Sequence, residues 1–122
     1  MLLNNMRDIN NFDIGCNFSL YEFECPDCKC VKLSRKLLDM MEELREKLKK
    51  PIKINSGDRC INYNKQIGGY LLSKHMEGQA VDISLNGLDI AILEPILKEI
   101  FPFYYINKAK GYCHLQAEEF RG

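Results

Sequence analysis

The chain has 122 residues, 46% hydrophobic and 28% charged, with 17 basic and 17 acidic side chains in balance. That length suits one domain with a real core but little to spare, and the composition is that of an ordinary globular protein. Zero formal net charge lacks the basic excess expected of a nucleic-acid binder. No apolar run is long enough to span a bilayer. The opening Met1-Leu2-Leu3-Asn4-Asn5-Met6-Arg7 lacks the apolar stretch of a signal peptide, so cytoplasmic synthesis is expected.

Residues 1–17 are rich in Asn and Asp and are expected to lie loosely over the surface. Ser19-Leu20-Tyr21-Glu22 has the form of a capping box and predicts a short helical turn. The clearest helix spans Arg35 to Lys49 with Ser34 as its cap. Leu37, Met41, Leu44 and Leu48 recur at helical spacing on one face, and Pro51 prevents continuation. Ile52 to Asn55 reads as a strand and Asn62 to Ile67 as a short helix ended by Gly68 and Gly69. Ala80 to Leu85 alternates as a strand should, with Val81, Ile83 and Leu85 on one side and Ala80, Asp82 and Ser84 on the other. Leu88 to Phe101 predicts a second long helix, in which Pro95 either kinks the chain or marks the true start. Phe103 to Ile106 and Tyr112 to Gln116 complete the sheet.

Six cysteines in so short a chain need an account. Cys25, Cys28 and Cys30 are compactly spaced and, with Cys60, make a set of four thiolates suited to a second, structural zinc. Buried thiols, or disulfides formed after release from the cell, are the alternatives. Cys113 alternates away from His114 and reads as a small core residue.

The chemistry concentrates in the only two histidines. His75 and Asp82 stand seven positions apart across Gly78, whose freedom lets His75 fold back to the level of Asp82. His114 shares a strand face with Tyr112 and Gln116. If the two strands neighbour each other, two His and one Asp converge, enough protein ligands for a catalytic zinc with one position left to water. The plain alternative is a turn-capping Asp and two unrelated histidines. The predicted architecture is α+β, a small antiparallel sheet with helices packed on one face and the zinc cleft on the other.

Taken together, Ser56-Gly57-x-Arg59, Asn64-x-x-x-Gly68-Gly69, Ser73-x-His75-x-x-Gly78-x-Ala80-x-Asp82 and the late His114 strand resemble the zinc D-alanyl-D-alanine carboxypeptidases and L-alanyl-D-glutamate peptidases. These enzymes cut peptidoglycan, occur in bacteria and their phages, and share a fold with the Hedgehog signalling domain. The resemblance runs from about Phe18 to His114 and is densest from Ser56 to Asp82. It implies a catalytic zinc held by His75, Asp82 and His114. It also implies that Arg59 holds a substrate carboxylate or the charged tetrahedral intermediate, and that Ser73 lines the same cleft. Peptidoglycan stem peptides are the implied substrate, met by a monomer that acts at the cell wall once released, as an endolysin does. Without the resemblance, Arg59 reads as a surface cation paired with Asp58 or another acid.

One departure stands out. The family places an acid or a second histidine shortly before the last ligand, to take a proton and pass it to the leaving amine. Here no Asp, Glu or His lies between Glu99 and His114. Three explanations follow: a carboxylate from Glu77, Glu118 or Glu119; Tyr112 bonding the intermediate in its place; or a zinc site without catalysis. Three functions are carried forward: a zinc peptidase, a binding module for wall peptides supported by the missing acid, and a zinc-stabilised interaction domain, which an exposed apolar patch around Tyr104, Tyr105 and Tyr112 would favour.

Overall fold

A computed structural model of the chain describes residues 14, 17–29, 31–57, 61–68, 75 and 78–118. Among these residues the architecture is α+β: three α-helices and one four-stranded antiparallel sheet. Helix α1 spans Arg35–Leu48, strand β1 Ile54–Ser56, helix α2 Ile61–Gln66 and strand β2 Ala80–Ser84. Helix α3 spans Ile90–Ile100, and strands β3 and β4 span Phe103–Asn107 and Tyr112–Gln116. The strands lie in the order β1-β2-β4-β3. Among the described residues no helix is long and apolar enough to cross a membrane.

Local chemistry explains most boundaries. The Ser19–Glu22 capping box opens a 3-10 turn over Leu20–Phe23, with the Ser19 amide donating to Glu22 Oε2 at 2.6 Å. Ser34 Oγ accepts from the Leu37 amide at 3.0 Å and starts α1, which ends with Lys49 in the left-handed region at φ 59. Helix α3 begins two residues later than predicted because Leu88 is held in a turn on Leu85 and Asp89 caps the helix through the Ala91 amide. Pro95 lies inside α3 rather than at its start. The amide it lacks would have served the carbonyl of Ala91, an exposed residue. Strand β1 starts at Ile54, not Ile52, and its pairing with β2 slips between Ile54 and Ser56, a bulge that no pattern in the sequence announces.

The core lies on one face of the sheet. Leu37, Met41, Leu44 and Leu48 of α1 and Leu93 and Leu97 of α3 pack there against Val81, Ile83, Cys113 and Leu115. Alternation along β2 and β4 leaves the opposite face to Asp82, Ser84, Tyr112, His114 and Gln116. Tyr104 sits on the helix side, where its hydroxyl donates to Glu94 of α3 at 2.9 Å. Tyr105 points the other way and is exposed. The expected patch of Tyr104, Tyr105 and Tyr112 is therefore split between two faces by the strand period. At the end of the N-terminal segment, the Asn17 side-chain amide donates to Glu42 of α1 at 2.6 Å.

Gly78 joins the segment of His75 to β2. Its φ is +71°, and a Cβ added there would meet the Lys32 carbonyl at 2.5 Å. The Ser34 amide donates to the Gly78 oxygen at 3.0 Å, so this turn is clamped against the start of α1. Gly87 has a similar φ of +79° but open space around it. Gly78→Ala is expected to destabilise by about 2 kcal/mol or more, lowering Tm by roughly 10 °C. Gly87→Ala should cost clearly less. Thermal melts of the two variants check whether backbone contact, beyond φ strain, dictates glycine at position 78.

Candidate metal centre

Strand register brings the sequence-predicted ligands together. Asp82 of β2 lies opposite His114 of β4, and Ser56 at the end of β1 lies opposite Asp82 from the other side. His75 enters from the turn before β2 and is buried. His75 Nε2 lies 3.1 Å from Asp82 Oδ1 and 3.3 Å from His114 Nδ1, and His114 Nδ1 lies 2.9 Å from Asp82 Oδ1. Among the described residues, these three form the one group of His, Cys, Asp and Glu side chains gathered closely enough to hold a metal ion.

The outer nitrogens decide what the inner ones can do. His75 Nδ1 is 2.8 Å from the Gly57 carbonyl oxygen, which only accepts, so Nδ1 carries a proton. His114 Nε2 is 2.8 Å from Gln116 Oε1, while Gln116 Nε2 donates to the Glu118 carbonyl at 3.0 Å. Neutral imidazoles held this way aim their lone pairs inward at the Asp82 oxygen. Three acceptor atoms at such separations repel unless positive charge lies among them, as protons on the imidazoles or as a metal ion shared by all three. Four tetrahedral bonds of about 2.0–2.1 Å, as zinc makes, set their ligands about 3.3 Å apart. The two nitrogens and the oxygen already stand close to that spacing, so the donor set fits the ion in both chemistry and size.

Burial by itself pushes the Asp82 carboxyl up, but when the positive charge among the three groups is carried as protons on the imidazoles, hydrogen bonds and charge from His114 and His75 outweigh burial and hold the group well below the usual carboxylate range. Asp82 is thus an anion at neutral pH. Cys113 shows the opposite balance: burial, reinforced by the Asp82 charge, pushes its thiol up to about 12. It packs in the core, as its alternation predicts.

The other predicted residues are distributed unevenly. Tyr112 is on the same strand face as His114, half-buried, between Ser84 and Asn107 in the pairing. Arg59, Ser73, Cys30, Cys60, Glu77 and Glu119 lie outside the described residues. Cys25 is buried and Cys28 exposed on the turn after Phe23. The register puts Ser56, Ala80, Ser84, Phe103, Tyr105, Asn107, Tyr112 and Gln116 on the ligands' face. Among these strand positions Asp82 is the single carboxylate.

Two supporting residues had been assigned no role from sequence. Gly57 holds His75 through its carbonyl, and a Cβ there would meet Phe23 backbone atoms at 2.5–2.8 Å. Gln116 was visible as a face-mate of His114, two residues on, but nothing in the sequence showed which way its amide points. Phe103 also packs edge-on to the His114 ring, with centroids 6.0 Å apart.

Asp82→Asn keeps the size of the side chain and removes its charge. Zinc affinity is expected to fall by at least about a hundredfold, more than the loss of an outer hydrogen-bond partner costs, with the fold retained. Competition against a chromophoric chelator measures this, and an unchanged affinity would remove Asp82 from the ligand set.

A search of curated proteins returns no match to this chain. A family model described as Peptidase M15 matches residues 16–116, a span that takes in all four strands and all three converging side chains. On that extent of agreement, the chain belongs to the peptidase M15 family.

Proposed function

We propose that this protein is a zinc peptidase that hydrolyses peptide bonds in peptidoglycan stem peptides, as a D-Ala-D-Ala carboxypeptidase or an L-Ala-D-Glu endopeptidase. The observation that carries the reading is the triangle of His75 Nε2, Asp82 Oδ1 and His114 Nδ1, with sides of 2.9–3.3 Å, in a chain of a peptidase family. His75, Asp82 and His114 would hold the ion. When bound, zinc supplies Lewis-acid polarisation of a peptide carbonyl and acidification of a water molecule. The outer hydrogen bonds to Gly57 and Gln116 keep both rings oriented without rearrangement. In this reading the Arg59 guanidinium pairs with the substrate carboxylate or with the oxyanion that develops at the scissile carbonyl, for which its planar fork is suited. Ser73 lines the same cleft, and the Tyr112 phenol donates a hydrogen bond to the developing charge. Synthesis in the cytoplasm and action at the wall after release complete the proposal.

A second reading has one specific observation in its favour. The described strand positions on the ligand face carry no carboxylate besides Asp82, so a zinc-containing module that holds wall peptides without cutting them is the alternative. Incubating the zinc-loaded chain with a defined panel of muropeptides, with a chelator control and mass-spectrometric detection, separates the two. Metal-dependent cleavage, lost in Asp82→Asn, is the expected outcome. Retention of peptides without cleavage would favour the module.

Cys25, Cys28, Cys30 and Cys60 are proposed as the ligands of a second, structural zinc. Elemental analysis of the reduced chain should then find two zinc ions per molecule, falling to one in Cys28→Ser; one ion in the parent chain would remove this site.

A further inference from the structure

We infer that Gln116 is a positioning residue for His114, and that the backbone carbonyl of Glu118 dictates which nitrogen of that ring faces the metal. The inference rests on the zinc reading of the site and adds to it a residue whose identity the ligand set alone does not require. Gln116 is 4% exposed, so its amide cannot turn freely toward water. Its Nε2 donates to the Glu118 oxygen at 3.0 Å. A carbonyl accepts and never donates, so this contact fixes the polarity of the amide and leaves Oε1 toward His114 Nε2, 2.8 Å away. An amide oxygen also only accepts, which requires the proton of His114 on Nε2. The lone pair is therefore on Nδ1, the atom 2.9 Å from Asp82 Oδ1 and 3.3 Å from His75 Nε2.

The chain of constraint runs from main chain to amide to imidazole to ion. It parallels the hold of the Gly57 carbonyl on His75, but it passes through a side chain and can be tested by substitution. Gln116→Met has nearly the same shape and cannot accept the ring proton. Gln116→Glu accepts it through a carboxylate oxygen, although it forfeits the bond to Glu118.

The test compares zinc affinity of the full chain by chelator competition in the parent, Gln116→Met and Gln116→Glu, with melts of the metal-free forms as a check on folding. Outer partners of metal-bound histidines are worth about 10–100-fold in affinity. Gln116→Met should lose roughly that factor and Gln116→Glu should recover most of it. Equal affinity in Gln116→Met and parent overturns the inference while leaving the zinc site standing. Equal losses in both variants overturn it as well, because packing and not proton acceptance would then be at stake. A measurement on the parent needs no variant: in nitrogen-edited NMR of the zinc-loaded chain, the His114 Nε2 proton should be visible and slow to exchange. Exchange as fast as that of an exposed imidazole overturns the inference. A parent chain that takes up no zinc overturns the peptidase reading itself and this inference with it.

Discussion

The pairing of β2 with β4 is the constraint on which the rest depends. It sets Asp82 opposite His114, and it does so because Val81, Ile83, Cys113 and Leu115 are all fully buried on the other face. Each such apolar side chain is worth roughly 1.5–3 kcal/mol when removed from water. A slip of one residue would expose them and drive an aspartate and a histidine into the core, where unpaired charge is costly. The core thus selects the register, and the register makes the site. No separate device is needed to bring Asp82 and His114 together.

The placing of His75 depends on backbone contacts that only glycine permits. Phe23 backbone lies where a side chain at Gly57 would begin, and the Lys32 carbonyl lies where one at Gly78 would begin. The first contact seats the carbonyl that holds His75. The second clamps the turn that carries His75 back toward β2. With the outer nitrogens of both rings engaged, the inner atoms form a cluster of acceptors that is unfavourable unless a cation or protons lie among them. That electrostatic demand is a stronger sign of a metal site than proximity alone, since acidic groups often cluster without binding anything.

Around Asp82 and His114 the sheet face offers hydroxyls and amides where a peptidase needs a proton acceptor. Ser56, Ser84, Tyr105, Tyr112, Asn107 and Gln116 share the face with Asp82 and His114. Tyr105 is open to solvent beside His114. It also means that a carboxylate engaged in proton transfer would have to come from outside these strands. The absence of an acid before His114, noted in the sequence, therefore persists in three dimensions over the strand positions and bears directly on whether the site cuts or only binds.

Much was legible in the sequence because it rests on local periodicity. Alternation placed Asp82 and His114 on the polar sides of their strands, the Leu/Met stripe defined the buried face of α1, and Ser34 and Ser19 marked their caps. The motif pattern pointed to the family, and the two histidines were the only ones available. What the sequence could not determine are relations between segments distant along the chain. The β1 bulge, the close approach of Gly57 to Phe23, the division of three tyrosines between two faces, and the direction of the Gln116 amide all follow from tertiary contacts. Side-chain type tells which groups can hold an ion. Which lone pairs face inward depends on hydrogen bonds to the Gly57 carbonyl and, through the Gln116 amide, to the Glu118 carbonyl, and these contacts exist only once the fold has brought the segments together.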